Sequence, residues 1–250
     1  MKVNILLNKI FDFIILKISA LQGKGWIASI KKEVDAAFSL LLISNESKKL
    51  FIDAGGNKGF YTEEIIKKEL NCKVIIFEPS SSNSIHLKKK FINNKNIKIE
   101  KLALSNINTK ALLFSDSDGS SLASLTKRKL DYLKIDFSRT ENIETIRFED
   151  YWKNKLGKKN IDFFKLDIEG HELDALKGMG EAINYINLIQ FEFGGCNIDT
   201  KTYFKDFWFF FKEKKFELYR ISPIGLIKIT NYKKTDEFFE YSNFLAKKKS

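Results

Sequence analysis

Residues 51–62 read Phe-Ile-Asp-Ala-Gly-Gly-Asn-Lys-Gly-Phe-Tyr-Thr, a buried apolar run that breaks into a glycine-rich turn and continues as a helix. A short apolar run without polar alternation suits a strand covered on both faces, which is the rule in parallel sheets flanked by helices. The glycines let the backbone turn sharply and approach a ligand closely, and the first turn of the following helix presents N–H groups that have no partners. A ligand site is therefore expected at the carboxyl end of this first strand.

The pattern downstream keeps alternating. Strands are expected near 50–54, 73–77 and 97–104, with helices near 60–70 and 82–92 between them. Residues 106–147 are less regular and read as a hairpin or loop inserted before the next core strand. Alternation resumes with a strand at 161–167, a helix at 172–180, a strand at 188–193, a helix at 203–214 and a strand at 216–221. Strand-like pieces at 226–230 and 243–246 complete the pattern. This predicts an α/β, Rossmann-like, doubly wound fold with a mostly parallel sheet and helices on both faces. The aromatic run 207–211 is expected to pack its helix on the sheet.

Ahead of the sheet, the first twenty residues carry apolar side chains at helical spacing, and a second helical stretch from about 27 to 43 ends at Ser44-Asn45-Glu46-Ser47. The chain thus divides into a helical extension, 1–46, and one domain, 47–250. Lys2, Lys9, Asp12 and Lys17 break the first helix into runs too short to span a bilayer, so a cytoplasmic protein with no membrane span is expected. The apolar face must still be covered, first by its own domain or a partner subunit, with peripheral membrane contact as the other reading.

The formal charge of +11 raises the question of a nucleic acid or another anionic partner. Arginine occurs only at 128, 139, 147 and 220, and the lysines are scattered along the sequence. That favours a solvated lysine surface and no nucleic-acid partner. Cys72 and Cys196 lie in no metal-ligand spacing and read as reduced thiols.

The turn at 55–59 has neither the G-x-G-x-x-G spacing of a dinucleotide site nor the Lys-Ser/Thr of a triphosphate loop. A second apolar strand, 74–77, ends in Glu78-Pro79, and a carboxylate there can accept hydrogen bonds from both hydroxyls of a ribose. Nicotinamide-dependent oxidoreductases and methyltransferases share these two pieces, so both stay open on them, beside a non-enzymatic nucleic-acid-binding protein.

Six segments together resemble the FkbM family of class I S-adenosylmethionine-dependent methyltransferases. They are 53–62, Phe77-Glu78-Pro79, Ala103-Leu104-Ser105-Asn106, Ser120-Ser121-Leu122, Phe164-Lys165-Leu166-Asp167-Ile168-Glu169-Gly170-His171-Glu172, and Ile189-Gln190-Phe191-Glu192. The resemblance covers about residues 49–246. One departure is Gly56, where family members usually carry alanine. The resemblance implies a seven-stranded sheet whose last strand is antiparallel, S-adenosylmethionine as cofactor, and methyl transfer to an oxygen of a glycan or small molecule. It implies cofactor contacts from Asp53, Gly55, Asn57, Gly59, Glu78 and Ser105.

A hydroxyl acceptor must lose its proton, and the candidates are groups at strand ends beside the donor turn. Asp167 ends a core strand, with Glu169 and His171 just beyond it, and these three are the expected catalytic residues. Glu172 begins a helix, where its carboxylate suits the macrodipole. Asp167, Glu169 and Glu192 are also oxygen donors of the kind a hard divalent cation prefers, but no metal is assigned to them. His86, beside Lys88, Lys89 and Lys90, receives no role.

Overall fold

A computed structural model describes residues 2–41 and 48–249. The expected turn at Ser44–Ser47 lies outside the described residues. Two helices precede the sheet, α1 (Lys2–Leu21) and α2 (Ile30–Leu40). The first half of the domain follows as β1 (Lys49–Ala54), α3 (Phe60–Lys68), β2 (Cys72–Phe77), α4 (Ser81–Lys90) and β3 (Ile97–Glu100). A small second sheet is built from β4 (Ala103–Ser105), β5 (Thr109–Ser115) and β6 (Arg139–Arg147). The second half comprises α5 (Phe148–Lys155), β7 (Ile161–Leu166), α6 (Glu172–Gly178), β8 (Ile186–Phe193), α7 (Cys196–Thr200), α8 (Phe204–Glu213), β9 (Phe216–Ser222), β10 (Gly225–Ile229) and β11 (Ser242–Lys248).

The main sheet runs in the order β10-β9-β11-β8-β7-β1-β2-β3. Its pairs from β3 to β8 are all parallel, and β11 is inserted antiparallel between β8 and β9. The fold is the Rossmann-like, doubly wound α/β architecture that the alternation predicts. It has eight strands rather than seven, because residues 225–229 fold back as a hairpin on β9 and extend the edge.

The expected strand at 97–104 divides. Ile97 and Ile99 pair with Val74 and Ile76 in the main sheet, whereas Ala103–Ser105 leave it to pair in parallel with Thr145–Arg147. An apolar pattern records that a segment is buried but not which sheet receives it. The insertion at 106–147 is indeed a hairpin, β5 against β6.

Both faces of the sheet are buried, which explains the unbroken apolar strands. Phe163 and Phe164 are neighbours on β7 with opposite directions. Phe163 meets Phe51 and Tyr61 on the face covered by α2 and α3, and Phe164 meets Phe148 of α5, 4.8 Å between ring centres, on the other. From α8, Phe207 and Phe211 stack on Phe191 at 5.0 and 5.1 Å. Burying each such ring contributes roughly 1.5–3 kcal/mol.

Two sequence expectations change. First, α1 does not lay its apolar face on its own domain: Ile10, Phe11, Phe13, Ile14 and Ile18 are 44–60% exposed. Its root is anchored, where Gly25 N donates to the Tyr241 carbonyl (2.9 Å) and Arg220 Nε to the Gln22 carbonyl (2.6 Å). Arg220 and Lys24 both pair there with buried Asp236, at 3.3 and 3.7 Å. Among the described residues no helix is long and apolar enough to cross a membrane. Second, the lysines are not evenly scattered. Seven of them, at 48, 49, 73, 95, 98, 155 and 159, line one cleft at the amino ends of β1, β2 and β3. Strand starts are solvent-facing, so lysines far apart in sequence converge on one edge of the sheet.

Candidate functional site

The carboxyl ends of β1, β2 and β7 open onto a cleft of about 200 Å³, roofed by the small sheet and by Ser120, Ser121 and Ala123 to Leu125. β1 ends with the Ala54 carbonyl accepting from Asp167 N, and the chain then turns at Gly55 (φ +80°), whose N–H donates to the Phe77 carbonyl at 2.9 Å. A Cβ at Gly55 would overlap the Asp167 carbonyl oxygen, so only glycine allows the two strand ends this close. At Gly56 the methyl of Ile76 already fills the space an alanine would need. The missing methyl is therefore replaced by a neighbour and leaves no gap.

Asn57 and Glu78 join the two strand ends. Asn57 N donates to Glu78 Oε2 (2.8 Å) and Ser80 N to Oε1 (2.9 Å), and the Asn57 amide reaches the Ser120 carbonyl at 3.3 Å. Glu78 is 5% exposed but lines the cleft. Burial raises its pKa, and the two backbone N–H groups pull against that rise. Each of its oxygens accepts one backbone bond, and the Asn83 side chain donates a third to the carboxylate, which leaves acceptor capacity for a ligand.

The six expected cofactor residues fall into two groups. Gly55, Asn57 and Glu78 form the cleft wall. Asp53, Gly59 and Ser105 lie behind it. Asp53 is fully buried beneath the turn, accepting from Thr62 Oγ1 at 2.6 Å with Lys165 Nζ at 3.7 Å. Gly59 begins α3 at φ +77°, pressed on Phe91 and Leu87. Ser105 is buried in β4, with its carbonyl against Gly178 of α6.

All three expected catalytic residues line the cleft. Burial pushes the Asp167 carboxyl up, but the Lys165 ammonium at 3.0 Å and a hydrogen bond from Glu192 outweigh it and hold Asp167 below the usual carboxylate range. Glu169 moves the other way. Burial and the Asp167 charge push it up to about 8, against the pull of Arg128, whose Nη1 is 2.9 Å away. Burial, then the charges of Asp167 and Glu169, also keep Glu192 well above the carboxylate range. His171 stands just before α6, with Nδ1 3.3 Å from Asp174 Oδ2 and Nε2 2.9 Å from Thr126 Oγ1. With the Nδ1 proton assigned to the Asp174 carboxylate, Nε2 accepts from the Thr126 hydroxyl, so a substrate hydroxyl reaches this nitrogen only by displacing Thr126. Glu172 plays the structural part its position suggests, accepting from Ile168 N and Gly170 N. Among the described residues no group of three or more histidine, cysteine, aspartate or glutamate side chains is disposed to hold a metal ion.

Sequence reasoning left out Asp174, Thr126, Arg128 and Tyr241. The spacing of Asp174, three residues after His171 across the start of α6, is a readable signal. Arg128 is one of only four arginines and is nearly buried between Glu169 and Asp199. Tyr241 joins the cleft wall only because β11 threads back into the sheet.

Behind Lys165 a buried polar chain reaches the helical extension. Tyr61 donates to Gln190 Oε1 (2.6 Å), and Gln190 Nε2 donates to Glu33 of α2 (2.8 Å). Burial pushes the Glu33 carboxyl up to about 7. A carboxyl raised in the folded state favours folding only while protonated. That contribution is complete below the ordinary carboxyl range and is lost as the pH rises through about 7. Glu33→Gln should therefore melt near the parent temperature at about pH 5 and be more stable by roughly 1–3 kcal/mol at about pH 8.5. Thermal melts at both pH values measure this, and a stability gap that does not change with pH would refute it.

A model of the methyltransferase FkbM domain matches residues 53–218. The chain belongs to the FkbM methyltransferase family. It is accordingly a methyltransferase, with S-adenosylmethionine as its methyl donor. No curated protein matches this FkbM-family chain. Among solved structures it is similar to a precorrin-6y C5,15-methyltransferase from Geobacter metallireducens, with 8% identity, 86% and 87% of the two chains covered, and a TM-score of 0.44. It is also similar to a putative rRNA-methylase from Clostridium thermocellum, with 12% identity, 90% and 97% covered, and a TM-score of 0.47. A third is an O-methyltransferase from Thermotoga maritima, with 12% identity, 90% and 73% covered, and a TM-score of 0.42. At these identities and TM-scores nothing about the acceptor of the FkbM-family chain follows.

Proposed function

We propose that the cleft methylates a hydroxyl oxygen of a glycan or small molecule, with His171 as the base. The observation that carries this reading is the meeting, in one cleft, of the Gly55–Glu78 wall with the His171–Asp174 pair. The donor set fits an adenosine. Glu78 offers two acceptor oxygens for ribose hydroxyls, Gly55 permits close backbone approach, and Phe77, Leu102 and Leu104 provide an apolar wall for the base.

When bound, S-adenosylmethionine supplies a methyl carbon already activated by its sulfonium. The chain's own work is alignment, exclusion of water and removal of one proton. His171 Nε2 would take the proton of a substrate hydroxyl that displaces Thr126 Oγ1 from it. Asp174 orients the imidazole and stabilises its charged form. Asp167, held ionised by Lys165, accepts a hydrogen bond from the hydroxyl and fixes its direction. Asp53, Gly59 and Ser105 hold the walls from behind without touching the ligands.

The test incubates the purified chain with methyl-labelled S-adenosylmethionine and a panel of sugars and glycolipids, and locates the label by mass spectrometry and NMR. Label on oxygen is expected, and label on nitrogen or carbon would overturn the reading. Thermal stability with each cofactor removes the oxidoreductase alternative. A ligand at 100 times its Kd stabilises by about 2.7 kcal/mol, which S-adenosylmethionine should do and a nicotinamide dinucleotide should not.

A further inference from the structure

The apolar surface of α1 is uncovered, and its shape and charge identify what covers it. At about 100° per residue, Phe13, Ile10, Ile14, Ile18, Phe11 and Ile15 spread over roughly 200° of the helix. Each of them is 44–60% exposed. The opposite sector carries Asn8, Lys9, Asp12 and Ser19, interrupted by Ile5 and Leu16. A second copy packed as a two-helix seam would cover only about two positions in seven and leave most of that arc in water. A lipid interface covers a broad arc at once.

Charge points the same way. α1 holds three lysines against one aspartate, in a chain of net charge +11. Lys17 lies inside the apolar arc with its ammonium 5.3 Å from the centre of the Phe13 ring. A lysine in that position can bury its stem beside the ring and keep its head at the level of lipid phosphates. The root is firm. Gly23 to Gly25 are clasped by Arg220, Asp236 and the Tyr241 carbonyl, and Tyr241 also lines the cleft.

We propose that α1 lies in the surface of an anionic membrane and carries the cleft wall at Tyr241 to the lipid face. The test is flotation of the full chain with phosphatidylcholine vesicles containing about one third phosphatidylglycerol, against pure phosphatidylcholine. The anionic vesicles should bind it at least about tenfold better. The double variant Phe11→Glu/Ile14→Glu should lose about tenfold or more of that binding, with melting temperature and donor affinity unchanged. Failure to float with anionic vesicles overturns the proposal, as does equal binding to neutral vesicles or undiminished binding by the double variant. A dimer that the double variant dissolves, without flotation of the parent, gives the arc to a second copy and overturns it too. Flotation reads binding without turnover, so its failure leaves the methyl-transfer reading standing.

Discussion

His171→Ala is expected to lower the single-turnover rate of methyl transfer by about 10²- to 10⁴-fold, the usual contribution of a positioned general base, with donor affinity unchanged. The imidazole has the geometry of a base held by an orienter. Its Nδ1 faces the Asp174 carboxylate and its Nε2 meets Thr126 Oγ1, the partner a substrate hydroxyl would displace. A group that acts on the acceptor proton does so mainly in the transition state, so its loss should appear in the chemical step and not in cofactor binding. Asp174→Asn should lower turnover less, because it leaves the imidazole in place but removes the carboxylate that orients it. Asp167→Asn separates the two strand-end candidates. Its carboxyl is held low by Lys165, which makes it a weak proton acceptor and a firm hydrogen-bond acceptor. Calorimetry with S-adenosylmethionine and rapid-quench turnover measure both quantities for each variant. A parental rate in His171→Ala, with the fold intact, would remove His171 from the mechanism.

Glu78→Ala should weaken S-adenosylmethionine binding by about 1.5–3 kcal/mol, roughly 10- to 150-fold in Kd. The carboxylate already ties Asn57 N to Ser80 N across two strand ends, so removing it withdraws ribose acceptors and loosens the turn together. Glu78→Gln separates these effects. It keeps one oxygen for a backbone N–H, and loss of donor affinity without loss of melting temperature marks a direct ligand contact. Unchanged calorimetric affinity in both variants would show that the ribose is held elsewhere.

The strands that frame this cleft were legible because helices cover both faces of the sheet. Residues 49–54, 72–77, 161–166 and 186–193 carry apolar side chains in both directions, and only a doubly covered strand requires that. The turn at 55–59 was legible for a steric reason, since Gly55 has no room for a side chain beside Asp167. What failed to show was convergence. Nothing local distinguishes Ile97–Glu100 from Ala103–Ser105, although they join different sheets. Asp53 sits under the turn bonded to Thr62, and Ser105 is buried in β4 with its backbone carbonyl against Gly178, placements that residue type alone does not show. Tyr241 and the lysine-lined cleft at the opposite end of the sheet arise from chain crossings that no short window contains.

The insertion of β11 between β8 and β9 has a consequence for synthesis. As the chain leaves the ribosome, β8 and β9 emerge before the strand that must separate them. Until β11 arrives, the edges of both are unpaired and available for wrong partners. The early-made half, β1 to β3 with β7 and β8, can pair while translation continues. The wall containing Tyr241 and the clasp on the N-terminal helix must wait for residues 241–248. A translation pause or truncation shortly before those residues should leave a nascent chain that retains most of its sheet, exposes two open edges and depends on chaperones to reach a closed cleft.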